Sequence, residues 1–173
     1  SFEEALKQLN REGPIIIRQV TAMDDKHEVR ELMRKRNKNF PNEFPYRSKC
    51  IVVFQEHDGV DVILFALYVN EYGEKTPPPN QRVVSIAYLD SVNLMRPRKL
   101  RTIVYKEILI AYLDYARRRG FATAHIWSCP PAKGDDYIFY AKPGDQPTLP
   151  ATELRKWYID MLVQCQKRNI VGQ

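Results

Sequence analysis

Residues 100 to 128 read LRTIVYKEILIAYLDYARRRGFATAHIWS, and this stretch decides the fold class. From Leu100 to Arg119, apolar side chains recur at Val104, Ile108, Ala111, Tyr112 and Tyr115, the spacing of one helical face. Gly120 stands where a helix ends on a left-handed residue. Arg117, Arg118 and Arg119 fill the last turn, where the helix dipole favours cations. Phe121 to Ser128 follows as a strand, and Arg82 to Leu89 (RVVSIAYL) is a strand before the helix. Strands mixed with helices place the chain in the α/β or α+β class.

Working outward, Cys50 to Gln55 and Val60 to Asn70 are β-branched and aromatic runs joined at His57-Asp58-Gly59, a hairpin in which Gly59 supplies a positive φ. Pro14 to Val20 (PIIIRQV) reads as a strand and Phe2 to Arg11 as a short helix. Asp24 to Phe40 is ambiguous, because Val29, Leu32 and Met33 share a helical face within a highly charged stretch. Pro41 to Pro45 and the proline-rich Gly73 to Gln81 read as loops. Downstream, Cys129 to Pro150 holds five prolines and two glycines, a loop too long to be mere connection. Thr152 to Arg168 is the last helix, with Leu154, Tyr158, Met161, Leu162 and Cys165 on one face. No strand closes the chain after it, so the sheet is expected to be incomplete at the C-terminus.

The chain has 173 residues and a net charge of +6. Between Arg96 and Arg119 stand eight basic residues and two acidic ones, and the remainder holds 19 of each sign, so one segment carries the whole excess. Composition is that of a globular domain, with 44% hydrophobic and 28% charged residues. No apolar run approaches the ~20 residues of a membrane-spanning helix, and no membrane partner is expected. Cys50, Cys129 and Cys165 lack a C-x-x-C pair and read as reduced thiols, with no metal set among them or among the isolated His27, His57 and His125. His125, within a strand, reads as a core residue.

Arg96, Arg98, Lys99 and Arg101 crowd a helix start, where an uncompensated cation costs about 0.3–1 kcal/mol. A phosphate on that start, with the Thr102 hydroxyl beside it, would turn the misplaced charge into a binding site; a solvated basic loop explains it equally well. The Walker and dinucleotide glycine motifs are absent. Arg117-x-x-Gly120-x-Ala122 imitates the phosphate loop of general N-acetyltransferases, but it runs from helix to strand, the reverse of that loop's context. There remains an aromatic and proline-rich group around the end of a strand: Trp127, Cys129-Pro130-Pro131, Gly134-Asp135-Asp136-Tyr137, then Trp157-Tyr158.

These blocks carry a resemblance. Tyr88-Leu89-Asp90-Ser91-Val92, Arg96-Pro97, Leu100-Arg101-Thr102, His125-Ile126-Trp127-x-Cys129-Pro130-Pro131, Gly134-Asp135-Asp136-Tyr137-Ile138-Phe139, Asp145-Gln146 and Trp157-Tyr158 resemble the acetyltransferase domain of the CREB-binding protein family of histone acetyltransferases. So do Phe44-Pro45-Tyr46-Arg47-Ser48-Lys49, Asp58-Gly59-Val60-Asp61 and Pro77-Pro78-Pro79-Asn80-Gln81-Arg82. The resemblance implies an acetyltransferase-like central mixed sheet flanked by helices, and transfer of acetyl from acetyl-CoA to lysines of histones and other nuclear proteins. It implies that Leu89, Asp90 and Ser91 line the acetyl-CoA site, that Arg101 and Thr102 hold its phosphates, and that Gln146 and Trp157 contact it. Trp127 and Cys129 would shape a tunnel with Tyr88, Tyr105 and Tyr137, and Tyr158 would protonate the departing thiolate, with no dedicated strong base.

The resemblance departs at Glu153, where the family has an Arg on CoA; Arg155 or Lys156 could substitute. The family domain also continues past the Trp-Tyr helix, so residues 1 to 173 are expected to be the N-terminal portion of one catalytic domain. It further implies a nuclear transcriptional coactivator that meets histone tails here and transcription factors through other parts of a longer protein. No direct nucleic-acid contact is expected, since the charge forms one patch and not a stripe. A non-catalytic CoA- or protein-binding fragment of such a domain is the alternative.

Overall fold

The computed structural model describes residues 7, 11–132, 135 and 137–172. The expected Phe2 to Arg11 helix lies largely outside these. Five strands and three helices follow in the order β1 (Ile15–Glu28), α1 (Glu31–Arg36), β2 (Glu43–His57), β3 (Val60–Tyr72), β4 (Val83–Ser91), α2 (Arg101–Arg118), β5 (Thr123–Ile126) and α3 (Ala151–Lys167). A 3-10 turn over Arg98–Leu100 leads into α2. The strands form one sheet in the order β1-β2-β3-β4-β5. The first four are antiparallel, and β5 lies parallel to β4 after the α2 crossover. The fold is thus α/β, a mixed sheet with flanking helices.

Alternation along the strands sends two sets of side chains to two covers. Val53, Phe65, Leu67, Val69 and Ile86 meet Val104, Ile108, Leu109 and Tyr112 of α2 and Met161 and Cys165 of α3 in the main core. On the other face, Cys50, Val52 and Ala66 are covered by Ile138 and Phe139 from the long loop after β5. That loop is therefore part of the packing and not a mere connector.

Several elements differ from expectation. β1 runs eight residues past Val20, through the charged stretch that had read ambiguously. Propensity does not extend it; cross-strand polar pairs do, with Lys26 on Glu43 at 2.8 Å and the Tyr46 hydroxyl on Asp25 at 3.0 Å. Pro45 lies in β2, not in a loop, opposite Lys26 of the edge strand. At the hairpin, Asp58 (φ 54°) and Gly59 (φ 82°) both take left-handed backbone, as a type I′ turn demands. On α2 the buried stripe includes Tyr105, Leu109, Leu113 and Ala116, while Ala111 and Tyr115 face outward. A helix pressed between a sheet and another helix buries a wider and rotated face than a minimal periodicity suggests. Gly120 (φ 89°) ends α2 as expected, with the Phe121 amide bonded back to the Ala116 carbonyl at 3.2 Å. β5 is only four residues long, and His125 is exposed on it, because β5 is the sheet's edge.

Candidate active site

β4 and β5 are paired only as far as Ile86 and Ile126, with a last amide bond from Trp127 to the Ile86 carbonyl at 3.4 Å. Beyond that point β4 continues to Ser91 while the chain after β5 turns into the long loop. Two parallel strands that part at their carboxyl ends leave backbone groups and side chains facing a gap, the usual place for a ligand in an α/β sheet. A cavity of about 340 Å³ occupies it. Its wall brings together all thirteen residues singled out from the sequence: Tyr88, Leu89, Asp90, Ser91, Arg101, Thr102, Tyr105, Trp127, Cys129, Tyr137, Gln146, Trp157 and Tyr158.

One part of the wall is charged. Arg101 opens α2, donates from Nη2 to Ser91 Oγ at 2.6 Å and lies over the Tyr105 ring, while its Nε is buried with no partner among the described residues. A buried guanidinium nitrogen left unpaired is a position for an acceptor. The neighbouring cations are less available than their number suggested. Arg96 pairs with Asp58 at 3.0 Å and Arg98 with Asp145 at 3.5 Å, both on the surface. The Arg101 amide is already bonded to the Arg98 carbonyl, because the 3-10 turn starts the helical run three residues early. The amides without a backbone partner among the described residues are therefore those of Arg98 and Lys99, and what Arg101 offers the cavity is its side chain.

Two residues expected to contact a cofactor are committed to the protein. Gln146 donates from Nε2 to the Ser91 carbonyl at 2.9 Å and accepts the Asn93 amide on Oε1 at 2.8 Å. Asp90 is 6% exposed, and both its oxygens are occupied. Oδ1 accepts the Ser91 amide at 2.9 Å and Lys142 Nζ at 2.7 Å. Oδ2 accepts the Ile138 and Phe139 amides, each at 3.1 Å. Both residues build the wall by pinning the long loop to the end of β4.

The other part of the wall is aromatic. Tyr158 is 6% exposed and lines the cavity. Burial, and secondarily Tyr137, pushes its pKa up to about 12, so it stays protonated throughout the neutral range. Trp157 packs edge-on against it at 5.2 Å. Tyr105 donates to the Leu64 carbonyl at 3.1 Å, which fixes its ring against the core. Tyr137 donates to the Cys129 carbonyl at 3.1 Å and faces Tyr88 at 6.2 Å. Trp127 is 72% and Tyr88 55% exposed, so within the described chain these two stand at an open mouth and not inside a closed tunnel. Edge strand β5 has nothing packed beyond it among the described residues, which leaves the side chain that follows it uncovered.

The histone acetyltransferase domain KAT3 model matches residues 3–173. The chain belongs to the KAT3 family. Histone acetyltransferase HAC12 of Arabidopsis thaliana is 46% identical over 168 residues, covering 92% of this chain and 10% of that protein. Protein cbp-1 of Caenorhabditis elegans is 48% identical over 162 residues, covering 90% and 8%. A rice protein (Oryza sativa subsp. japonica) named "Probable histone acetyltransferase HAC-like 2" is 48% identical over 166 residues, covering 91% and 12%. The chain thus spans about a tenth of the length of these relatives.

Within this KAT3 domain, Glu153 is exposed in the first turn of α3, where a carboxylate suits the helix dipole, and it does not line the cavity. Arg155 and Lys156 do not line it either. Sequence reasoning missed Lys142, Pro147, Thr148, Leu149 and Ala87, all on the wall. The loop residues carry no periodic signal, and only the fold reveals that the loop returns to β4.

Proposed function

We propose that this KAT3 domain contributes the donor site of a lysine acetyltransferase that uses acetyl-CoA. One observation carries the reading: a single cavity is lined both by a guanidinium whose buried Nε has no partner among the described residues and by a buried, protonated tyrosine, Tyr158. Arg101 and Thr102 would take CoA phosphate oxygens, and Leu89, Ser91 and Trp157 would line its arm. Acetyl-CoA supplies the acyl group as a thioester, with a thiolate as leaving group. Tyr158, protonated at neutral pH, would donate a proton to that sulfur. The apolar wall of Tyr105, Leu154 and Trp157 disfavours an ammonium and so favours the neutral amine of an entering lysine. Tyr88, Trp127, Cys129 and Tyr137 would flank that lysine at the mouth. Histone tails and other lysine-bearing nuclear proteins are the proposed acceptors. A nuclear coactivator role, with transcription factors held elsewhere in a longer protein, follows from the same reading.

The exposure of Trp127 and Tyr88 supports a second reading, in which this chain binds CoA without turnover. Two measurements separate them. CoA at 100 times its Kd raises the native-state stability by about 2.7 kcal/mol under either reading, seen as a higher Tm. Radiolabelled acetyl transfer from acetyl-CoA to a histone tail peptide occurs only under the first. A melting temperature indifferent to CoA sinks both.

A further inference from the structure

We propose that Lys142 is a positioning residue for this site: through Asp90 it latches the loop bearing Tyr137 and Gln146 against the end of β4, and so fixes the cavity wall. The loop from Cys129 to Pro150 has no helix or strand of its own among the described residues, so its shape depends on a few fastenings. Ile138 and Phe139 are held by their amides on Asp90 and by packing on the Cys50, Val52 and Ala66 patch. Gln146 is held by the backbone of Ser91 and Asn93. Between these points Tyr140 projects into solvent, and among the described residues Asp145 has the exposed 3.5 Å pair with Arg98, a contact of little energetic weight.

Lys142 is the sheltered tie in that interval. Its side chain is 25% exposed, and its Nζ lies 2.7 Å from Asp90 Oδ1. The same carboxylate therefore carries both ends of the latch, the two amides on one oxygen and the ammonium on the other. Without the ammonium, Oδ1 keeps only the Ser91 amide beside it in sequence. A buried carboxylate short of a partner draws in water, and the amides of Ile138 and Phe139 then lose their fixed acceptor. Because Lys142 and Asp90 both line the cavity, the loosening falls on the wall that faces the donor.

The role as a positioning residue rests on the acetyl-CoA reading, but the latch itself does not. The test compares Lys142→Met, which keeps the stem, and Lys142→Arg, which keeps the charge, in the 173-residue chain. In the ligand-free protein, amide exchange at Ile138, Phe139 and Gln146 should accelerate about tenfold or more in Lys142→Met, and return towards the original rate in Lys142→Arg. Calorimetric Kd for CoA should rise about tenfold in the Met variant and recover in the Arg variant, with the global Tm nearly unchanged. Unchanged exchange in Lys142→Met overturns the latch, and so does an Arg variant no better than Met. Accelerated exchange with an unaltered Kd overturns the positioning role. If the original chain does not bind CoA, the acetyl-CoA reading and the positioning role built on it both fall, and the exchange rates still decide the latch.

Discussion

Glu71 and Asp90 are both buried carboxylates, 3% and 6% exposed, yet they serve opposite ends of the sheet. Each has both oxygens occupied. Glu71, at the end of β3, accepts from Lys49 Nζ at 2.9 Å, Arg119 Nη1 at 2.8 Å and the Tyr112 hydroxyl at 3.1 Å. Those partners stand on β2 and on or just after α2, so the network joins elements that already hold each other. Asp90, at the end of β4, takes Lys142 and two amides from a loop with no helix or strand of its own among the described residues. The same chemistry locks the core in one place and shapes a cavity in the other. What sets the second end apart is not its carboxylate but the cavity beside it, where Arg101 Nε is buried without a partner among the described residues.

The comparison breaks first on stability. Glu71→Gln leaves Lys49 and Arg119 without a buried counter-charge and should cost about 3–5 kcal/mol, read as a lower urea midpoint. Asp90→Asn should cost less, about 1–3 kcal/mol, because its partners are loop amides and a rim lysine. Equal losses would remove the distinction between core and wall. The tyrosines give the next largest contrast. Tyr158→Phe should slow acetyl transfer about 10²-fold or more while CoA affinity stays within about twofold. Tyr112→Phe should lose about 1 kcal/mol of stability and leave transfer untouched. A Tyr158→Phe variant with full activity removes the proton donor from the proposed mechanism.

Much of this was legible before the fold. The α2 pattern ending at Gly120 placed a helix between strands, and the cations crowding its start allowed an anion site or a solvated loop. The cavity lies at that end, but Arg96 and Arg98 pair on the surface. The thirteen candidate side chains share one wall because they sit at the carboxyl ends of β4 and β5, on the helices beside them and on the loop that returns to β4. Three features escaped. Arg119 had read as helix-end charge, but it turns inward to Glu71, which spacing along α2 does not reveal. The stretch from Asp24, which continues β1, had read ambiguously, since cross-strand pairs are written in another segment of the chain. Lys142 had no pattern around it, because a loop's return to Asp90 is a tertiary fact.

Arg101 tests the cavity end directly. Arg101→Ala should weaken CoA binding by about 2 kcal/mol, roughly thirtyfold, the weight of a hydrogen bond to a charged group. It should leave thermal stability almost unchanged, since the variant loses the Ser91 bond but also a buried nitrogen that had no partner among the described residues. Calorimetry showing the same Kd would leave the unpaired Nε without a ligand to explain it.

The smallest effect is the pH dependence of the Glu71 end. Burial alone would push the Glu71 carboxyl up, but the bonds donated by Lys49 and Arg119 outweigh it and hold it below the usual carboxylate range. A group depressed in the folded state stabilises it above the unfolded value of about 4.3, and that contribution fades as pH falls through the folded value. Urea midpoints should therefore drop more steeply below pH 4 in the original chain than in Glu71→Gln, which has no carboxyl to protonate there. Parallel slopes would mean that the network's charge is not what holds β2, β3 and α2 together, and the contrast with Asp90 would then rest on packing alone.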